Sequence, residues 1–327
     1  MRLSILSNLV LRRVACVAAL CCGVVAPAWA ADAPADCPPA AATLTPERVK
    51  EGLAGARDHG FLWRISKGGH SSYLYGTVHV ARLEWMFPGP TVLDALDEAD
   101  TIALELDVLD PQIQRRLQAA MNAPRGFTLP DALSERLQRR AAAECLAPGT
   151  LAHMGPELQV ASLAVLAARR DGLDPAYSVD MMLSIIGHGR KKSMISLETP
   201  EAQMQALQLP AADQATAFVA DALDDLESGR SRPVMNRIAA VWAAGDHEQL
   251  ARYEEWCECR KTPEEQTAMR RILDERNPAL ADGIDALHSS GRRVFAAVGS
   301  LHMVGPLGLP ALLGRRGFKV EVGQFER

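Results

Sequence analysis

Two stretches of the sequence share one pattern: an apolar run followed by glycine, a hydroxyl residue, an aliphatic residue and histidine. They are residues 75–80 (YGTVHV) and residues 298–303 (VGSLHM). A glycine at the end of a strand permits a backbone turn that a Cβ atom would resist. In open α/β sheets, the crevice beyond the strand ends is the usual binding place. The repeat therefore predicts a shared site for His79 and His302, whereas a single copy would more simply indicate a hydrogen-bonded core histidine.

Apolar runs that alternate with amphipathic stretches predict the fold. Strands are predicted at residues 61–65, 72–75, 101–106, 194–197, 293–298 and 318–322. Between about residues 110 and 290 the pattern is mostly helical and is broken by proline and glycine. Alternating strands and helices indicate an α/β protein. We therefore expect an α/β fold with a central mixed β-sheet flanked by helices, and a large helical insertion between the early and the late strands.

The first thirty residues have the pattern of a secretory signal peptide. Three arginines accompany an apolar run over residues 14–26, and Ala28 and Ala30 are the small residues that a signal peptidase requires. We predict a signal peptide over residues 1–30, a leader and first helix over 31–57, and one domain over 58–327. A retained N-terminal anchor is the alternative. After cleavage no remaining stretch is apolar enough to span a bilayer, so the protein is expected in the periplasm or outside the cell.

Charge and cysteine content narrow the partners and the compartment. Cleavage would move the formal net charge from −5 to about −8, and an acidic chain is poorly suited to bind a phosphate backbone. Nucleic acid is therefore not an expected partner. Four cysteines would remain, namely Cys37, Cys145, Cys257 and Cys259. In an exported protein an even number favours two disulfides, with three possible pairings. A zinc ribbon would need a second pair of ligands at matching spacing, and the sequence has none.

Two carboxylates reinforce the histidine pair. Glu105 lies inside a predicted apolar strand, and Glu198 follows the run 195–197. A buried carboxylate is costly unless it meets a cation, a metal or strong donors. A buried pair with an arginine is one interpretation of Glu105, and the start of a helix is one interpretation of Glu198. The other is that histidine nitrogens and carboxylate oxygens bind a divalent metal, which would activate water with a free glutamate as general base.

These motifs carry a resemblance to a known family. The two Gly-x-x-His motifs, the strand with Glu105, the segment 197–199 and the run from Arg276 to residue 320 resemble the TraB/GumN family over about residues 60–325. That family includes the Tiki membrane proteases and is similar to the ChaN and erythromycin-esterase folds. The resemblance implies a metal-dependent hydrolase site. It implies His79, Glu105 and His302 as the metal ligands.

The resemblance also implies supporting roles for neighbouring residues. Glu198 would be a ligand or the general base, and Arg276 would orient the substrate or stabilise developing negative charge. Arg276 as the partner of a buried glutamate is an equal alternative. Gly76, Gly299 and Asn277 are assigned to binding of the cofactor. The histidines outside the two motifs that stand in polar surroundings are predicted at the surface; they are His59, His70, His247 and His288.

The expected function follows from the site and the predicted export. We expect a metal-dependent hydrolase that cleaves a peptide or related bond in a peptide or small-molecule substrate, with Mn, Co or Zn as the metal. Two other classes stay open: a non-catalytic periplasmic protein that binds a metal or ligand, and an assembly factor for envelope polysaccharide. The sequence contains no Gly-x-Ser-x-Gly elbow, no Walker loop and no His-Glu-x-x-His motif.

Overall fold

A computed structural model describes residues 37–325, apart from residues 258 and 260. The predicted signal peptide and its cleavage site lie outside the described residues. The first described helix, α1 (Pro46–Ala54), begins after Thr45, whose side chain accepts the Arg48 amide at 3.3 Å, with proline at the first position. Such a cap supplies a partner for an otherwise unpaired amide. In this part of the chain no helix is both long and apolar enough to cross a membrane.

The described chain contains a six-stranded mixed sheet, which confirms the predicted fold class. Its strands are β1 (Phe61–Lys67), β2 (His70–Thr77), β3 (Thr101–Leu104), β4 (Ser193–Ser196), β5 (Val294–Gly299) and β6 (Lys319–Val322). The spatial order is β4-β3-β5-β2-β1-β6. Strands β2, β3, β4 and β5 run parallel to one another, and β1 is antiparallel to both β2 and β6. All six residues of β5, at the centre, are buried, as expected for a strand covered on both faces.

Parallel strands bring their carboxyl ends to one edge of the sheet. His79 follows β2, Glu105 follows β3, Glu198 follows β4 and His302 follows β5. The prediction that Glu105 lies inside a strand is wrong, because β3 ends at Leu104. One backbone hydrogen bond continues beyond the paired strands β3 and β4: the Glu198 amide donates to the Glu105 carbonyl at 3.1 Å. Glu105 therefore lies just beyond the carboxyl end of its strand, as do His79, Glu198 and His302.

Helices cover the sheet and form a second layer. Those of the described chain are α1, α2 (Pro90–Glu98), α3 (Pro111–Met121), α4 (Asp131–Ala143), α5 (Pro156–Ala167), α6 (Val179–Gly189), α7 (Pro200–Ala206), α8 (Ala212–Glu227), α9 (Ser231–Ala244), α10 (His247–Ala251), α11 (Tyr253–Trp256), α12 (Pro263–Met269), α13 (Asn277–Ser289) and α14 (Leu309–Arg315). A 3₁₀ turn, Ser300–Met303, follows β5, and a π-helical turn, Arg270–Asp274, precedes α13.

The two largest hydrophobic cores of the described residues correspond to the two layers. The larger core surrounds the sheet and includes the buried side chains of Phe61, Leu74, Ile102 and Phe295. The second lies among α3, α4, α5, α7 and α8, where Leu163, Val219 and Leu223 are fully buried. These helices belong to the segment between β3 and β5, which β4 interrupts. This second layer contains a cavity of about 730 Å³ lined by residues between 122 and 159, none of which is a predicted site residue.

Two disulfides are present, as the even number of cysteines predicts. Cys37 pairs with Cys145, with Cα atoms 5.7 Å apart, and Cys257 pairs with Cys259. The first joins the chain before α1 to the end of α4 and encloses a sequence separation of 108 residues. This selects one of the three pairings that the sequence left open. Disulfides of this kind persist in oxidising compartments.

Candidate functional site

The first histidine of the repeated motif is held by a carboxylate from another element. His79 follows β2, and its Nδ1–H donates to Asp180 Oδ2 at 2.8 Å. Asp180 lies in the first turn of α6 and also accepts the hydroxyl protons of Thr77 and Ser178, at 2.7 and 3.3 Å. The side chain of His79 is 63% exposed. The Asp180 carboxylate raises the pKa of His79 to about 9.

The second histidine is held by an amide. His302 lies in the turn after β5 and is 4% exposed. Its Nδ1 is 2.5 Å from Oδ1 of Asn277, the first residue of α13, and Asn277 Nδ2–H donates to the Leu307 carbonyl at 2.8 Å. Burial lowers the pKa of His302 to about 4, although the Glu105 carboxylate acts in the opposite direction. At neutral pH His302 is therefore an uncharged imidazole.

The two histidines and Glu105 surround one position, next to the Cα atom of Gly299. A Cβ atom placed on Gly299 would lie 3.3 Å from Glu105 Oε1, 3.4 Å from His79 Nε2 and 3.7 Å from His302 Cδ2. Because all three atoms lie within 3.7 Å of that Cβ position, the distance between any two of them is less than twice 3.7 Å. The backbone of Gly299 has φ −48° and ψ 136°, which any residue adopts. Glycine is thus required here for space between the three side chains and not for backbone conformation.

Glu105 uses its two oxygens differently. Oε1, on the side of Gly299, accepts the Gly299 amide at 2.8 Å. Oε2 accepts Arg276 Nη2–H at 2.5 Å and Gln203 Nε2–H at 3.0 Å. Burial would raise the pKa of this carboxyl, but His302, Arg276 and His79 outweigh it and lower the pKa to about 2. Glu105 is therefore a buried carboxylate that stays ionised through neutral and mildly acidic pH.

Arg276 and Glu198 form a compact ion pair beside Glu105. Arg276 Nε donates to Glu198 Oε1 at 2.9 Å, and Nη2 is also in contact with Glu198 Oε2. Gln203 Nε2 donates to Glu198 Oε2 at 3.1 Å. The two carboxylates raise the pKa of Arg276 in spite of its burial. Because both Glu198 oxygens meet Arg276, Glu198 is not positioned as a free base in this arrangement.

The structure brings most of the sequence-predicted site residues together. His79, Glu105, His302 and Gly299 meet directly, Asn277 contacts His302, and Glu198 and Arg276 contact Glu105 through the ion pair. Gly76, which the resemblance assigns to cofactor binding, does not meet these side chains. A Cβ on Gly76 would meet Phe61 and Ser300, each at 3.3 Å, because Gly76 is paired inside β2 and packs between β1 and the turn after β5.

Two residues that hold the site were not predicted. Asp180 stands beside Met181 and Met182 in α6, and Gln203 lies in α7, in a segment that the sequence marks only as helical. Neither belongs to a local motif. Their roles depend on the approach of α6 and α7 to the sheet edge, for which the sequence carries no short-range signal.

The side chains at this position are of types that bind a divalent metal, although their atoms are not at metal-binding distances from one common point. Two imidazoles and a carboxylate are ligands that transition metals accept. The cluster has three carboxylates, those of Glu105, Glu198 and Asp180, and two cations, the Arg276 guanidinium and the His79 ring with its raised pKa, so negative charge is in excess. Within residues 37–325, as far as they are described, no group of three His, Cys, Asp or Glu side chains already has metal-binding geometry.

Comparison with known proteins gives one match. A family model described as the TraB/PrgY/gumN family matches residues 61–322. This range begins at the first residue of β1 and ends at the last residue of β6, so it spans the whole sheet and all the site residues. No curated protein and no solved structure matches the chain.

Proposed function

Because the chain belongs to the TraB/PrgY/gumN family, we propose that it is an exported metal-dependent hydrolase whose site is the edge of the sheet beside Gly299. The resemblance to the Tiki proteases noted above supports a peptide or related bond as the target. One observation carries the proposal: His79 Nε2, Glu105 Oε1 and the ring of His302 surround the same position, where Gly299 leaves space.

The residues fit a divalent metal in chemistry and in support. His79 and His302 each have Nδ1 engaged by another side chain, which is the arrangement that orients metal-binding imidazoles. Nε2 of both rings and Oε1 of Glu105 would hold the ion. A bound metal would polarise the scissile bond and lower the pKa of water. The excess of carboxylates at the site, which favours a positive charge there, supports the same assignment.

Hydrogen bonds from neighbouring side chains would hold Glu105 in position to bind the ion. Arg276 and Gln203 engage Oε2 of Glu105, so the carboxylate stays ionised and its Oε1 stays turned towards Gly299. Glu198 holds the Arg276 guanidinium in place beside Glu105. In this proposal Glu198 and Arg276 hold Glu105, and the exposed edge of His79 is where the substrate enters.

Metal analysis of the purified protein, followed by cleavage of a peptide library, tests this function. The variants are His79→Ala and His302→Ala, and the matched control is His188→Ala. His188 also pairs with a carboxylate, Asp107, at 2.8 Å and lies on α6, but it is not among the groups around Gly299. We expect stoichiometric metal and cleavage in the wild type and the control, and loss of both in the two site variants. Equal metal content in all four proteins would refute the assignment.

Export is a separate part of the proposal. The two disulfides support it. N-terminal sequencing of protein from a cell-envelope fraction should begin at Ala31. An intact Met1 on protein from the cytoplasm would overturn this part.

A second candidate function is a non-catalytic protein that captures a metal or small ligand. It is favoured by the engagement of Glu198 and Asp180, whose oxygens are occupied by Arg276, His79 and neighbouring donors. A hydrolase normally needs a base that can take a proton. Tight metal binding at His79 and His302 together with no cleavage of any peptide in the library would favour this candidate.

A further inference from the structure

We propose that Asp180 and Asn277 are positioning residues that keep the proton on Nδ1 of His79 and His302, so that Nε2 of each neutral ring is the nitrogen with the lone pair at the site beside Gly299. This rests on the proposed function, because it concerns the same site. It adds two residues that act through the histidines and that belong to neither Gly-x-x-His motif.

For His302 the assignment follows from a chain of hydrogen bonds. The Leu307 carbonyl is an acceptor only, so Asn277 must turn its Nδ2 towards it, as observed at 2.8 Å. This turns Oδ1, an acceptor, towards the imidazole. His302 Nδ1 must then carry the proton that it donates across 2.5 Å. In a neutral imidazole the other nitrogen, Nε2, is left as the acceptor. Leu307 thus fixes Asn277, and Asn277 fixes His302.

For His79 the same result is reached with a carboxylate. Asp180 accepts the hydroxyl protons of Thr77 and Ser178 as well as the Nδ1–H of His79. A carboxylate in this state offers no proton, so Nδ1 must be the protonated nitrogen of a neutral His79 ring. Asp180 is 17% exposed and lies in the first turn of α6, where the helix N-terminus favours negative charge. Nε2 is left free, 3.4 Å from the Cβ position of Gly299.

The two partners differ in charge in a way that matches the burial of their histidines. His302 is 4% exposed, and a neutral amide orients it without placing a further charge in the core. His79 is 63% exposed, and solvent reaches the ring that faces the Asp180 carboxylate. Both arrangements give the same tautomer. His188 provides an internal contrast, because it contacts Asp107 through Nε2 and should therefore carry its proton there.

Nitrogen NMR of the metal-free protein labelled with ¹⁵N-histidine tests the tautomers directly. His302, assigned through His302→Gln, should show the Nδ1–H form at neutral pH, and His188 the Nε2–H form. His79, whose Nδ1 faces the Asp180 carboxylate, should show the Nδ1–H form at alkaline pH, where its ring is neutral. Asn277→Ala and Asp180→Ala should each produce a mixture of forms in their own histidine, and Asp180→Asn, which keeps an acceptor oxygen, should restore part of the signal. An Nε2–H form of His79 or His302 in the wild type would overturn the proposal.

Metal affinity provides the second readout. Zn²⁺, Mn²⁺ and Co²⁺ are titrated singly into the wild type, the two alanine variants and the control His188→Ala, with His79→Ala as the loss-of-site reference. We expect an affinity about 10–100-fold weaker in Asp180→Ala and Asn277→Ala, and no change in the control. Wild-type affinity in the positioning variants, with loss in His79→Ala, would overturn the proposal and leave the proposed function standing. If the wild type binds none of the three ions, the proposed metal function fails, and the NMR measurement still decides the tautomers.

Discussion

Replacing Gly299 by alanine tests the site with a single methyl group. The new Cβ would lie between the three side chains of the site, 3.3 Å from Glu105 Oε1 and 3.4 Å from His79 Nε2. The backbone at this position has φ −48°, so alanine adopts it without strain. The substitution therefore changes the space at the site and leaves the hydrogen bond from the Gly299 amide to Glu105 possible.

The expected cost in stability is small. Contacts at 3.3–3.4 Å are tight, and overpacking in a core typically costs about 1–3 kcal/mol. Replacing a glycine by alanine also reduces the conformational entropy of the unfolded chain, which stabilises the folded protein by about 0.4–1 kcal/mol. The free energy of unfolding should therefore fall by no more than about 2.6 kcal/mol. A metal ligand atom must approach the ion to about 2.0–2.2 Å, and the methyl group stands in the region where three such atoms would converge. We expect metal affinity to fall at least about 100-fold, equivalent to about 2.7 kcal/mol.

The other glycine of the repeated motif provides the matched control. A Cβ on Gly76 would also meet its neighbours at 3.3 Å, but these are Phe61 and Ser300 and not the site side chains. Gly299→Ala and Gly76→Ala should therefore lose similar amounts of stability in chemical denaturation. Metal titration should separate them, with binding lost in the first and retained in the second. Wild-type affinity in Gly299→Ala, or equal loss in both variants, would refute the argument that the space beside Gly299 receives a ligand.

Three further outcomes are expected. Glu105→Gln should weaken metal binding and lower the free energy of unfolding by about 1–3 kcal/mol in chemical denaturation, because Arg276 keeps its second carboxylate; unchanged affinity would exclude Glu105 as a ligand. Burial lowers the pKa of His302 to about 4 from 6.5, so its neutral form stabilises the fold above pH 6.5. This stability is lost as the pH falls from 6.5 towards 4. The melting temperature of the metal-free protein should fall across that range, with a smaller slope in His302→Gln; an equal slope would contradict the burial argument. The double change Cys37→Ser and Cys145→Ser opens a loop with a separation of 108 residues and should cost about 2–4 kcal/mol in denaturant unfolding; the same treatment of the Cys257–Cys259 pair should cost much less.

The sheet was predictable because its signals are local. Each strand is a short apolar run, and the hairpin of β1 and β2 turns at Gly68 and Gly69, both with positive φ as a tight turn requires. The repeated Gly-x-x-His pattern then marked two strand ends. These two ends lie next to each other because β2 and β5 pair in parallel as neighbours. The sequence did not specify this strand order.

The parts of the site that were missed depend on contacts between distant segments. Asp180 meets Thr77 and His79 across more than a hundred residues, and no spacing rule relates them. The surface prediction for His288 is wrong for the same reason. His288 is 1% exposed and is stacked on His70 with ring centroids 3.8 Å apart. Its Nε2–H donates to the Lys67 carbonyl at 2.9 Å, and its Nδ1 accepts from the Ser72 hydroxyl at 2.8 Å. Its polar sequence neighbours gave no sign that the β1–β2 hairpin would cover it.

The two interpretations of Glu105 that the sequence left open, a metal ligand or the partner of a buried arginine, do not exclude each other. Arg276 and Gln203 use Oε2, and the Gly299 amide uses one lone pair of Oε1. A carboxylate oxygen has two lone pairs, so Oε1 retains the capacity to bind an ion or take a proton. The ion pair in fact favours this role, because it keeps a buried carboxyl ionised that burial alone would protonate. A loss of stability in Glu105→Gln therefore cannot by itself reject the ligand role, and the decision rests on metal affinity compared with Gly299→Ala, which leaves the ion pair intact.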